Sequence, residues 1–183
     1  MRSASPTDGT RTILDAARRL ARCQDYRGAL RFYAALAELI PPTEEPLRRS
    51  VAEEAAEAHA CAGDLRRAEE ILEGLLASGP VGLEAARLHG RLGACYHRSG
   101  EVAQAIRHLE GALAILANVP GVEELRTRLR AESELAEIAI HAGDHGRAEA
   151  ICRQGLDELG AHGELTADAQ VRREEMVLLE TLA

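Results

Sequence analysis

The run Leu92-Gly93-Ala94-Cys95-Tyr96-His97-Arg98-Ser99-Gly100-Glu101-Val102-Ala103-Gln104-Ala105 decides how the chain is read. Its first half has helical composition and stops at Ser99-Gly100. Gly100 suits the left-handed position that ends a helix, and Glu101 suits the start of the next one, where a carboxylate faces the positive end of the helix dipole. Ala105 follows four residues later, at a point where a small side chain lets two antiparallel helices cross closely. The run therefore predicts a helical hairpin.

The same device recurs along the chain. Cys23-Gln24-Asp25-Tyr26, Ala62-Gly63-Asp64-Leu65 and Ala142-Gly143-Asp144-His145 are the matching breaks. Each is followed by an Ala in a like setting, and Ala29, Ala68, Ala105 and Ala148 lie 39, 37 and 43 residues apart. A turn recurring at a period near 40 is an internal repeat. Pro41-Pro42, Ser78-Gly79-Pro80, Asn118-Val119-Pro120-Gly121 and Gly160-Ala161-His162-Gly163 separate one hairpin from the next. A last amphipathic helix is predicted from about Thr166 to Thr181, bringing the expected count to nine helices. The Ser/Thr/Pro/Asp/Gly-rich start, residues 1–9, is expected to be flexible.

Composition agrees with an all-helical chain. Ala and Leu, the two strongest helix formers, occupy 34 and 25 of 183 positions, while aromatics make up 2%. The aromatic shortage argues against base-stacking platforms, and the formal charge of -8 argues against wrapping nucleic acid. No apolar run reaches the roughly 18 residues of a membrane span, and the start lacks the apolar core of a signal peptide. A cytoplasmic protein is expected. Cys23, Cys61, Cys95 and Cys152 are too far apart for close metal-binding pairs and are expected to be reduced, partly buried thiols.

The pattern resembles the tetratricopeptide repeat family. In the third unit Leu92-Gly93, Tyr96, Gly100, Ala105, Leu109 and Ala112 occupy the family's positions, with Leu109 in place of the usual aromatic. The second unit offers Ala55-Ala56, His59, Gly63, Ala68, Leu72 and Leu75. The fourth offers Leu135-Ala136, Ala139, Gly143, Ala148, Cys152 and Gly155. The first keeps Ala16-Ala17, Leu20, Ala29, Tyr33 and Leu36, with Gln24 standing where the turn Gly belongs. The resemblance implies an all-α superhelical array of four hairpins over residues 10–160, closed by a capping helix over 164–183. It further implies that the first helix of each hairpin lines a concave groove.

Chemistry is thinly represented. Neither a phosphate-cradling Gly-Lys-Ser/Thr loop nor a His-Glu-x-x-His zinc motif is present. His141 and His145 are four apart but span a predicted helix break, which favours surface or capping roles over metal binding. Glu132, Glu134 and Glu137 are expected to form a solvated face, because paired carboxylates work as acid and base only in a cleft that separates their pKa values. Cys152 is expected to be a buried structural thiol. Cys95, Tyr96 and His97 point to different faces of one helix. No catalytic residue, metal or cofactor is expected.

The resemblance maps the groove to Arg11, Leu14, Arg18 and Arg22 in the first unit and to Ser50, Glu53, Glu57 and Ala60 in the second. The third contributes Arg87, Gly90, Ala94, His97 and Arg98, and the fourth Arg130, Ser133, Glu137, Ile140 and His141. Of these, Arg18, Arg22, Glu53, Glu57, Arg87, His97, Arg98, Arg130, Glu137 and His141 are the expected partner-contacting residues. Arg matches carboxylates bidentately, so an extended protein segment fits such a surface. The family's clamp for a terminal carboxylate uses groove Asn residues, and the only Asn here is Asn118. The expected function is a non-catalytic adaptor that binds a peptide or helix of a partner protein. The alternative is an oligomerising module beside a separately encoded signalling or transcription protein. In the final helix Val171, Leu178 and Leu182 are expected to cap the array, while Met176, Val177 and Leu179 either complete that seal or form a homodimer contact.

Overall fold

The computed structural model describes residues 8–117 and 121–161, together with Met176, Val177 and Leu179. Eight helices run through the described residues: α1 (Asp8–Arg22), α2 (Tyr26–Leu39), α3 (Glu45–Cys61), α4 (Leu65–Ala77), α5 (Gly82–Ser99), α6 (Val102–Leu116), α7 (Val122–His141) and α8 (His145–Ala161). No strand occurs among the described residues. Consecutive helices pack as four hairpins, α1–α2, α3–α4, α5–α6 and α7–α8. They fall into two compact units, Met1–Ser78 and Gly79–Ala183. The expected capping role of Val171, Leu178 and Leu182 lies outside the described residues. At the start, Asp8 and Gly9 belong to α1, with Thr12 Oγ1 donating to the Asp8 carbonyl at 2.9 Å.

All four hairpins turn by one mechanism. The backbone is left-handed at Gly63 (φ 87°), Gly100 (φ 84°), Gly143 (φ 76°) and, in the first hairpin, Gln24 (φ 62°). The next residue's N–H then reaches back five positions: Asp25 to Leu20, Asp64 to His59, Glu101 to Tyr96 and Asp144 to Ala139, at 2.8–3.0 Å. That bond satisfies a carbonyl left open at the helix end. Asp25, Asp64 and Asp144 then cap the following helix by accepting from Gly28, Arg67 and Arg147 N–H groups. Glu101, one methylene longer, makes no such cap.

Hairpin crossings are built from small residues. Ala29, Ala68 and Ala105 are fully buried and Ala148 nearly so. On the facing helix Ala17, Ala56 and Ala136 are fully buried, and Gly93 holds the corresponding place in α5. A Cβ at Gly93 would lie 2.6 Å from Leu109 Cγ and 3.2 Å from the Ala105 carbonyl oxygen, so only glycine fits there. The first unit's core gathers Leu14, Ala17, Ala29, Tyr33, Leu36 and Ile40 with Val51 and Ala58. The second unit has a cluster of Leu125, Leu129, Ala136, Ala139, Ala148, Cys152 and Leu159. Each fully buried Leu contributes about 1.5–3 kcal/mol, and these apolar layers hold the first helices of the hairpins in place.

Candidate partner-binding surfaces

In the first unit the relevant helices are α1 and α3. Arg11, Asp15, Arg18 and Arg22 form an exposed stripe on α1, as their spacing of three and four residues dictates. Arg18 reaches α3 and grips Glu54 with two parallel bonds, Nε to Oε2 at 3.0 Å and Nη2 to Oε1 at 2.6 Å. Tyr33, buried on α2, donates its hydroxyl to the same Oε2 at 3.2 Å. Hydrogen bonding to Glu54 raises the Arg18 pKa, while burial and then Glu54's charge raise that of Tyr33. Arg18 is therefore held within the fold's own ion pair. Arg22 and Glu57 are exposed, whereas Glu53 is buried. The expected groove carboxylate Glu53 is thus one residue out of register with the surface stripe, which runs Ser50, Glu54 and Glu57.

In the second unit α5 and α7 play the same part. His97 lies half-buried at the end of α5. Its Nδ1 is 3.2 Å from Glu134 Oε2 and its Nε2 is 3.3 Å from His141 Nδ1. The α7 stripe is Arg130, Glu134, Glu137 and His141, and all but Glu134 are exposed. Arg98 is exposed and Arg87 half-buried on α5. His97, Glu137 and His141 of the expected residues are thereby brought to one place, and Glu134 joins them. Glu134 falls outside the expected set because that set steps three residues from Arg130 to Ser133, which is buried and donates to the Leu129 carbonyl, whereas the step of four reaches Glu134.

The acidic run on α7 corrects a second expectation. Glu132 is not solvated: it is 3% exposed, packed within the hairpin, and burial pushes its carboxyl from the ordinary 4.5 to about 7, with Arg128 opposing. Its Oε1 accepts from Gln154 Nε2 at 3.5 Å and its Oε2 is buried without a partner. Arg128 is itself committed to Glu158. Burial, with Glu132's charge as a lesser cause, also raises the pKa of Cys152, which is fully buried as expected. Cys95 is buried as well. Cys23 and Cys61, expected to be partly covered, are exposed because each sits at the end of its helix beside a turn.

Two further features escaped sequence reasoning. His89 on α5 and His108 on α6 face each other with Nδ1 atoms 3.0 Å apart, and Tyr96 packs on His108. Burial lowers the His89 pKa. In the first unit a pocket of about 440 Å3 lies among α2, α3 and α4, with Leu30, Ile40, Ile71 and Leu75 in its wall and Arg48, Arg49 and Arg67 also lining it. Neither brings a thiol and an imidazole together.

Met176 and Leu179 are exposed and Val177 is half-buried. Among the described residues no helix is long and apolar enough to cross a membrane.

Residues 88–123 match the tetratricopeptide repeat family model. No curated protein sequence matches the chain. Solved structures do. A kinesin light chain-like protein of Podosopora anserina with nearly identical tetratricopeptide-like repeats has a TM-score of 0.72 at 20% identity, covering 98% of this chain and 87% of its own. The MamA protein reaches 0.60 at 17% identity, covering 94% and 89%. YrrB, a tetratricopeptide protein with an unusual peptide-binding site, reaches 0.51 at 16% identity, covering 93% and 82%. The chain therefore carries a tetratricopeptide repeat at residues 88–123 within an all-α, tetratricopeptide-like array of helical hairpins.

Proposed function

We propose that the protein is a non-catalytic adaptor, acting in the cytoplasm, that binds a peptide segment or helix of a partner protein on its α1/α3 and α5/α7 faces. The observation that carries this reading is the pair of polar stripes on the first helices of the hairpins, in a fold whose members generally mediate protein–protein interaction. Arg22 and Glu57 in the first unit, and Arg98, Arg130, Glu137 and His141 in the second, present charge of both signs on exposed helix faces. The peptide-binding site of YrrB supports the same use of this fold. Mixed charge selects a partner by register and electrostatic match more than by apolar anchoring. With 2% aromatics the chain has few of the residues that dominate tight interfaces. The net charge of -8 favours a protein partner over a nucleic acid.

The test is affinity capture with mass spectrometry, run in parallel on the wild-type chain and on Arg22→Glu/Arg98→Glu/Arg130→Glu, followed by binding of the purified partner at low and high salt. A partner that binds the wild type directly, weakens with salt and is lost from the triple variant supports the reading. A direct partner retained by the triple variant contradicts it.

Exposure of Met176 and Leu179 favours a second reading, self-association through the C-terminal segment. Light scattering on the wild type and on Met176→Ser/Leu179→Ser tests it. A dimer that becomes a monomer supports that role, and a wild-type monomer at high concentration contradicts it.

A further inference from the structure

We propose that His97, Glu134 and Glu137 form a binding site for a first-row divalent transition-metal ion, with His141 as the residue that orients the His97 ring. One donor atom from each of the three ligands lies within 4.8 Å of the other two. Within the trio, His97 Nδ1 and Glu134 Oε2 are 3.2 Å apart. Two donors that hold one tetrahedral ion at about 2.0–2.1 Å are separated by about 3.3–3.4 Å, so this edge is already formed. Glu134 and Glu137 are three residues apart on α7, which sets both carboxylates on one side of the helix while His97 comes from α5.

The other nitrogen of His97 supplies the supporting observation. Its Nε2 is 3.3 Å from His141 Nδ1. A proton placed on Nε2 donates to His141 and leaves the Nδ1 lone pair aimed at the Glu134 side. Metal-bound histidines are regularly oriented by such a bond from the second nitrogen. His97 is 12% exposed at its side chain and Glu134 23%, so the ion would be partly shielded, while exposed Glu137 leaves a path from solvent. One imidazole and two carboxylates suit Zn2+, Mn2+ or Co2+ better than Ca2+ or Mg2+, which take all-oxygen shells. Three protein donors also leave a coordination position open to water or to a carboxylate from outside the chain.

The site shares Glu137 and His141 with the surface proposed for partner binding, but its test uses no partner, so either idea can fail alone. Full-length protein carrying Cys23→Ser and Cys61→Ser, which removes the two exposed thiols, is stripped with chelator and titrated with Zn2+ by calorimetry. Co2+ absorption reports the donor set. The expected result is one Zn2+ per chain and visible Co2+ bands without thiolate charge transfer. Glu134→Gln and Glu137→Gln should each weaken binding at least about 10-fold, and His141→Ala about 10- to 100-fold, with circular dichroism unchanged. Absence of a stoichiometric ion would overturn the proposal. So would binding that survives Glu134→Gln and Glu137→Gln but is lost in His108→Ala, which would place the ion on the His89–His108 pair.

Discussion

The two units turn their hairpins through the same left-handed backbone position yet differ in what they place at matching positions of the first helices. Counting from the crossing residues Ala17, Ala56, Gly93 and Ala136, the position four residues earlier holds Ile13 and Ala52 in the first unit but His89 and Glu132 in the second. Burial shifts both of the latter toward their neutral forms. Two residues before Ala56 and Ala136 stand Glu54 and Glu134, each reaching a cation-forming side chain on the preceding first helix. Glu54 holds Arg18, whose charge is permanent, and Tyr33 locks the pair. Glu134 meets His97, whose other ring nitrogen faces His141. The same scaffold position thus gives a bidentate Arg–carboxylate pair in one unit and an imidazole–carboxylate contact in the other.

The largest expected effect comes from the crossing itself. Gly93→Val drives a branched side chain into Leu109 and the Ala105 carbonyl. Helix propensity favours the replacement by at most about 0.5 kcal/mol, while overpacking costs about 1–3 kcal/mol, so a net loss of stability follows in urea unfolding. Val at this place would break the parallel with Ala17, which already accommodates a Cβ.

Glu132→Gln sharpens the contrast at the position four residues earlier. The folded pKa of about 7 lies above the ordinary 4.5, so the native state binds the proton more tightly. Its stabilising contribution is complete below the lower value and is lost as pH rises through the upper one. Gln copies the protonated form. The stability difference between variant and wild type should therefore move in the variant's favour by about 2 kcal/mol from pH 5 to pH 8. Thermal melts at the two pH values measure it, and a gap independent of pH would remove Glu132 from the account.

Smaller effects separate the paired carboxylates. Glu54→Ala takes the partner from the buried Tyr33 hydroxyl and from Arg18, costing about 1–2 kcal/mol. Glu134→Ala in metal-free protein should cost less than half of that, because His97 retains its contact with His141. Arg18→Gln, at a pair whose side chains are 43% and 24% exposed, should cost at most about 1 kcal/mol and less at high salt. Chemical denaturation of the three variants under one buffer ranks them.

The hairpins were legible because turns and crossings are local chemistry. An acidic residue after a left-handed Gly, then an Ala four residues on, announces itself in sequence, and even Gln24 could be recognised by its place in the repeat. Register within the first helices was harder. Glu53 and Glu54 are adjacent acids, and only the position of Tyr33 and Arg18 on other helices determines which one meets the surface. Glu132 was misread for a related reason. α7 buries Leu125, Leu129, Ala131, Glu132 and Ser133 as well as its later apolar residues, since α5, α6 and α8 all pack against it. Contacts on several sides widen the buried stripe beyond what one periodicity reveals. The His97–Glu134–His141 meeting likewise depends on residues 37 and 44 positions apart.

The most direct test of the adaptor reading is an amide NMR map of the full chain titrated with the segment of a directly bound partner. The account predicts shifts concentrated at Arg22 and Glu57 in the first unit and at Arg98, Arg130, Glu137 and His141 in the second. Shifts confined to the pocket around Leu30, Ile71 and Leu75, or to Met176 and Leu179, would contradict it.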